Sequence, residues 1–140
     1  MKSLPILSAL FVMAASTVIA DDAVTSAVLQ EENKVFENVM GPINFADAYG
    51  DRATGPHGTF GQFPANFETP EHTHSHSYRA IVLKGQMTNP FNGEENAPIM
   101  GPGSYWAVGA GETHSTACVS DTPCEFFMYS DSEFDFAPTE

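Results

Sequence analysis

The chain has 140 residues, with 18 acidic against five basic side chains and a formal net charge of −13. That length suits one domain with a sizeable core and excludes two. The charge repels phosphate backbones and anionic lipid heads, which argues against nucleic-acid and membrane partners and leaves small molecules.

In chain order, the first segment is unlike the rest. Lys2 is the only charge before Asp21, Leu4–Ile19 is apolar or small, and Val18-Ile19-Ala20 ends the run with small residues around a cut. Residues 1–20 read as a secretory signal peptide cleaved near Ala20. The run is shorter than the ~20 residues of a spanning helix and lacks a basic stop-transfer flank. The expected location is therefore the periplasm or the medium outside the cell. Residues 21–34 are polar and acidic with a few apolar positions, a linker or one short helix.

From Val35 to the end, residues 35–140 read as one domain of short strands. Turn signals recur at Met40-Gly41-Pro42, Gly55-Pro56, Lys84-Gly85, Asn92-Gly93, Gly101-Pro102-Gly103 and Asp121-Thr122-Pro123. No stretch holds a helical period. This pattern predicts an all-β fold, an antiparallel barrel of six to eight strands. Its best-defined strand runs from His72 to Leu83. Alternation puts His72, His74, His76, Tyr78, Ala80 and Val82 on one face. Phe60, Phe63 and Phe67 are expected to line the interior, Tyr105 and Trp106 to pack in the core or at its rim, and Gln62 to point inward.

The two cysteines, Cys118 and Cys124, flank the turn-rich Val-Ser-Asp-Thr-Pro. An even pair in an exported chain predicts a disulfide across a hairpin. Metal ligation is the alternative, although the spacing is not that of a zinc ribbon.

Three of five histidines alternate at His72, His74 and His76, and His114 and His57 lie apart. Alternate strand residues set imidazoles about 7 Å apart on one face, close enough to converge on one ion. Neutral imidazole is the commonest protein ligand for first-row metals. His57 reads as a loop histidine or as a residue folded over the mouth. His76 is a fourth ligand, a base beside the metal, or an outward side chain at the lip.

These residues carry a family resemblance. His72-Thr-His74, followed by Tyr78 and Gly85, resembles the first cupin motif. Gly103-Ser-Tyr-Trp-Ala-Val-Gly109-Ala-Gly111-Glu-Thr-His114 resembles the second. With Gly55-Pro-His-Gly-Thr-Phe60, the chain is similar over about residues 43–136 to small exported bacterial cupins grouped as a family of unknown function. The resemblance implies a cupin-type double-stranded β-helix barrel. It implies one divalent transition metal (iron, zinc, manganese, nickel or copper) on His72, His74 and His114. Three positions depart from the motifs. Tyr78 stands where a ligand Glu is expected, Gly109 replaces a proline, and Cys118 replaces a final Asn.

Without the Glu, three neutral histidines leave the ion its full charge and open positions. Tyr78 is then a candidate ligand or catalytic base, as in small-cupin lyases that use a tyrosine near the metal, and His76 is a second catalytic candidate. Metal affinity is expected to fall below the ordinary imidazole range, near pH ~6.5. Two functions follow. One is an exported metalloenzyme (lyase, isomerase or oxygenase) acting on a small polar or anionic molecule. The other is a non-catalytic metal- or ligand-binding module. A homodimer covering open strand edges is a further expectation.

Overall fold

The computed structural model describes residues 26–139. The proposed signal peptide, residues 1–20, lies outside them. Ahead of the strands, Glu31–Asn33 form a single 3-10 turn. It ends in Lys34, whose ammonium lies 4.0 Å above the Phe60 ring and 2.6 Å from Glu125. This pair ties the N-terminal segment to the outside of the main sheet.

Eleven strands follow: β1 (Glu37–Met40), β2 (Ile43–Gly50), β3 (His57–Phe63), β4 (Phe67–Glu68), β5 (His72–Thr73), β6 (Tyr78–Lys84), β7 (Met87–Thr88), β8 (Tyr105–Val108), β9 (Ala117–Cys118), β10 (Cys124–Ser130) and β11 (Ala137–Pro138). All ladders are antiparallel. The fold is all-β, but the closed barrel expected from the turn spacing does not form. The strands fall into three open sheets, ordered β1-β2-β3-β10-β6-β8, β11-β5 and β4-β9-β7. The physical reason lies in strand length. β4, β5, β7, β9 and β11 have two residues each, too few for a ladder that continues around a barrel. Pro70 lies two residues from both β4 and β5, and Pro90 two residues past β7.

The predicted strand from His72 to Leu83 is likewise cut. β5 ends at Thr73, a bend covers Ser75-His76, and β6 begins at Tyr78. Alternation survives the break: His72, His74, Tyr78, Ala80 and Val82 are buried. Their neighbours Ser75, Ser77, Arg79, Ile81 and Leu83 are exposed.

The core fills the inner face of the six-stranded sheet. Ile43, Phe45, Phe63, Val82, Trp106, Val108, Phe126 and Met128 cluster there, with Met87 and Met100 contributed from outside that sheet. Gly61 makes room for the central ring. A Cβ at this position would come within 2.2 Å of Phe126, so any larger residue would push that ring off the core.

Period-2 patterning corrects two expectations. Phe60 and Gln62 alternate with buried Gly61 and Phe63, so they face outward. Phe60 packs on Phe127 with ring centroids 5.1 Å apart, and Gln62 donates to Glu125. Phe63 is buried and Phe67 packs at the core edge. Trp106 is buried, and its neighbour Tyr105 is exposed on the opposite face. Cys118 and Cys124 form the expected disulfide, joining the end of β9 to the start of β10. Among the described residues, no helix is long and apolar enough to cross a membrane.

Candidate metal centre

His72 and His114 are placed by a two-residue antiparallel bridge. The His72 N–H donates to the His114 carbonyl at 2.9 Å, and the His114 N–H donates back at 3.0 Å. The bridge sets their rings side by side, with centroids 4.2 Å apart. His74 follows on the same side of the chain, 4.8 Å from His72 and 5.1 Å from His114 by ring centroid. One ligand atom from each of the three lies within 4.8 Å of the others, and all three residues are buried.

Hydrogen bonds on the far ring nitrogens set the tautomers. The Nδ1–H of His72 donates to the Pro70 carbonyl at 2.8 Å, that of His74 to the Asp135 carbonyl, and that of His114 to the Glu112 carbonyl at 3.3 Å. A carbonyl only accepts, so each Nδ1 carries the proton and each Nε2 keeps its lone pair. Such backbone partners orient metal-binding imidazoles in known sites. His74 Nε2 is buried and has no hydrogen-bond partner. An orphaned buried acceptor is costly in a finished core, so these residues fit a divalent ion held by three Nε2 atoms.

Electrostatics agree. Burial pushes His72 down to about 4, with the Pro70 carbonyl opposing and His74 reinforcing the shift. Burial, then the neighbouring His72, pushes His114 to about 4. Burial also lowers His74, against the pull of Asp135. The three rings are therefore neutral, as ligands must be.

Tyr78 lies at the same place. Its hydroxyl is 3.3 Å from His114 Nε2 and accepts from Trp106 Nε1 at 3.2 Å. Because His114 Nδ1 holds the proton, Tyr78 donates to Nε2. Burial raises its phenol to about 12, against the Trp106 and Thr116 hydrogen bonds. His76 does not join the cluster. It sits half-exposed in the bend, with Nε2 3.2 Å from Glu133. His57 is fully buried at the start of β3, where its Nδ1–H donates to Thr59. Its ring lies against Phe134, 6.1 Å away, and it neither joins the triad nor covers a mouth.

Sequence reasoning missed the segment that closes the site. Phe134-Asp135-Phe136 crosses the triad just before β11. Phe136 stacks on His72 at 4.1 Å and Phe134 covers His74 at 4.5 Å. The Asp135 carboxylate accepts from the Ser75 backbone N–H at 2.7 Å. The signal was present as two aromatics flanking an acid, alternating like a strand. A cavity of about 220 Å³ opens beside the triad, lined by His72, His74, Tyr78 and by further aromatic and aliphatic side chains, with Arg52 and Asp135.

Residues 32–140 match the family described as a domain of unknown function, DUF4437. The chain belongs to this family. No curated protein matches it. Solved structures do match it in fold, several of them described as cupins. The polyketide cyclase RemF from Streptomyces resistomycificus is 20% identical, with a TM-score of 0.69 over 83% of this chain and 87% of its own. KdgF from Halomonas sp. is 14% identical, with a TM-score of 0.63 over 76% of this chain and 94% of its own. An RmlC-like cupin from Shewanella frigidimarina is 17% identical, with a TM-score of 0.62 over 76% and 92%. At these identities the likeness is one of fold.

Proposed function

We propose that this DUF4437 cupin is an exported metal-dependent enzyme of lyase, isomerase or oxygenase type, acting on a small molecule in the cavity beside His72, His74 and His114. The observation that carries this reading is the convergence of three buried, neutral imidazoles beside that cavity, with their lone pairs unprotonated and their far nitrogens held by backbone carbonyls. A divalent ion bound there would supply Lewis acidity to an oxygen of the bound molecule. A cyclase among the fold neighbours is in keeping with chemistry on small molecules.

The protein's own groups divide the remaining work. The Pro70, Asp135 and Glu112 carbonyls hold the rings in one tautomer. Phe134 and Phe136 exclude water from two of them. With no ion bound, burial raises the Tyr78 phenol to about 12 and it keeps its proton. Ligation at His114 Nε2 takes the acceptor to which Tyr78 now donates. The hydroxyl is then free to face the cavity, where we read it as a proton donor in place of the phenolate ligand or base suggested by its motif position. Export is supported by the apolar leader at residues 1–20 and by the Cys118–Cys124 disulfide, a bond that persists in oxidising compartments.

The deciding experiment is metal analysis of protein purified from its native compartment, followed by a turnover screen of small acids. One tightly held transition metal per chain, lost in the variant with alanine at all three histidines, is the expected result. Stoichiometric metal in that variant would overturn the assignment. Bound metal with no turnover across the screen would favour the binding-module reading.

A further inference from the structure

The cavity is walled by aromatic and aliphatic side chains and holds one permanent cation, with Asp135, whose carboxylate is engaged by Ser75, also in the wall. Phe45, Phe63, Phe126 and Phe134 line it with Trp106. Phe126 meets Phe45 and Phe63 edge-on, at 6.4 and 5.4 Å, and Phe134 meets Phe45 edge-on at 6.0 Å. A flat ring joins such a cluster through the same edge-to-face contacts. The volume, about 220 Å³, lies below the range of about 300–1,000 Å³ usual for drug-sized ligands, which limits the occupant to a small one.

Arg52 stands in this wall with its side chain 20% exposed. Its Nη1 donates to Asp47 Oδ2 at 2.7 Å, while the other Asp47 oxygen accepts from Thr59. The guanidinium carbon lies 5.6 Å from the Phe45 ring centroid. A guanidinium has five donors in a planar fork, and Asp47 is the only side chain among the described residues that accepts from it. A carboxylate matches the rest of that fork with two parallel bonds. Long-range electrostatics make the pairing selective. A chain of net charge −13 repels an anion, so a local cation must draw it in. Lys34 and Lys84 are engaged with Glu31 and Glu125 on the outer face of the sheet.

We propose that the cavity takes a small aromatic carboxylic acid, with its ring among Phe45, Phe126 and Phe134 and its carboxylate on Arg52. Calling this molecule the substrate rests on the metal-site reading above; the grip itself needs no ion.

Trp106 is the one tryptophan of the chain and lines the cavity, so its fluorescence reports occupancy. Metal-free protein is titrated with benzoate, benzyl alcohol and cyclohexanecarboxylate. Benzoate is expected to bind tighter than either by about tenfold or more, the scale of a charge-assisted hydrogen bond. Arg52→Gln should abolish its advantage over benzyl alcohol, and Arg52→Lys, which keeps the charge without the fork, should retain only part of it. Equal binding of benzoate and benzyl alcohol by the parent, or an undiminished preference in both variants, would overturn the role of Arg52. Equal binding of cyclohexanecarboxylate would overturn the aromatic class. A parallel zinc titration read by calorimetry keeps the two readings apart. Failure to bind zinc removes the metal reading and leaves the benzoate ranking to decide this one.

Discussion

Replacing Tyr78 by Phe removes one oxygen from the cavity and separates two roles of opposite sign. Were the tyrosine a ligand, the variant would bind metal more weakly. As the neutral donor described here, Tyr78 occupies the His114 lone pair, so Tyr78→Phe is expected to bind zinc as tightly as the parent or tighter. It should lose about 10²–10⁴-fold in turnover, the usual contribution of a positioned acid. Calorimetric zinc titration and steady-state rates check the two halves. Single alanine variants of His72, His74 and His114 remove a ligand outright. Each should lose more metal affinity than the roughly 10–100-fold typical of losing an outer hydrogen-bond partner. Competition with a chromophoric chelator measures this.

At the level of elements, the site depends on a segment that contributes no ligand. Asp135 accepts from His74 Nδ1 through its backbone carbonyl, while its carboxylate accepts from both the Ser75 backbone N–H and the Ser75 hydroxyl. β11 pairs with β5, the strand that carries His72. A chain truncated before Phe134 should therefore lose about 10–100-fold in zinc affinity, although all three histidines remain. Titration of the truncated protein beside Ser75→Ala tests whether the carbonyl or only the clamp matters. The β9–β10 connection is held differently, by a disulfide with a sequence separation of six. Replacing both cysteines by serine should lower stability by about 2 kcal/mol on the loop-entropy account. Denaturant unfolding of parent and variant measures it, and the effect should vanish when both are compared under reducing conditions.

For the whole molecule, the neutral triad sets how the metal-free fold responds to acid. His72 and His114 titrate near 4 when folded and near 6.5 when unfolded. Between these values the unfolded chain binds more protons, so stability falls as pH falls. The contribution is complete above about pH 6.5 and is lost toward pH 4, at up to about 1.4 kcal/mol per pH unit for each ring. Urea unfolding of metal-free protein at several pH values should show this slope. In the folded protein the same shift postpones proton competition at the ligand atoms. The decline of zinc affinity with acid should then begin at a lower pH than the ~6.5 of free imidazoles.

How far the site was legible in the sequence depends on the range of each interaction. His72, His74 and Tyr78 share a face because side chains alternate along an extended chain. That rule is local, and it survived the bend at Ser75-His76 that ended the strand. The spacing of the two motifs was enough to add His114, and an even cysteine pair was enough for Cys118–Cys124. Alternation could not say which way a strand faces. Phe60 and Gln62 point outward because Gly61 must lie beneath Phe126, a contact made across the β3–β10 pair. His76 obeys the period but falls at the bend, where the chain turns it toward Glu133. Arg52, Phe134 and Asp135 lie 20 or more residues from the nearest ligand in the chain. Only the folded backbone brings them to the cavity, through bonds such as the Phe134 N–H to the Arg52 carbonyl at 2.7 Å. The shared face of His72 and His74 followed from local alternation, and His114 was added by the motif resemblance. The aromatic character of the cavity, its one cation and the open sheets were decided by pairings between distant segments, which a linear pattern does not encode.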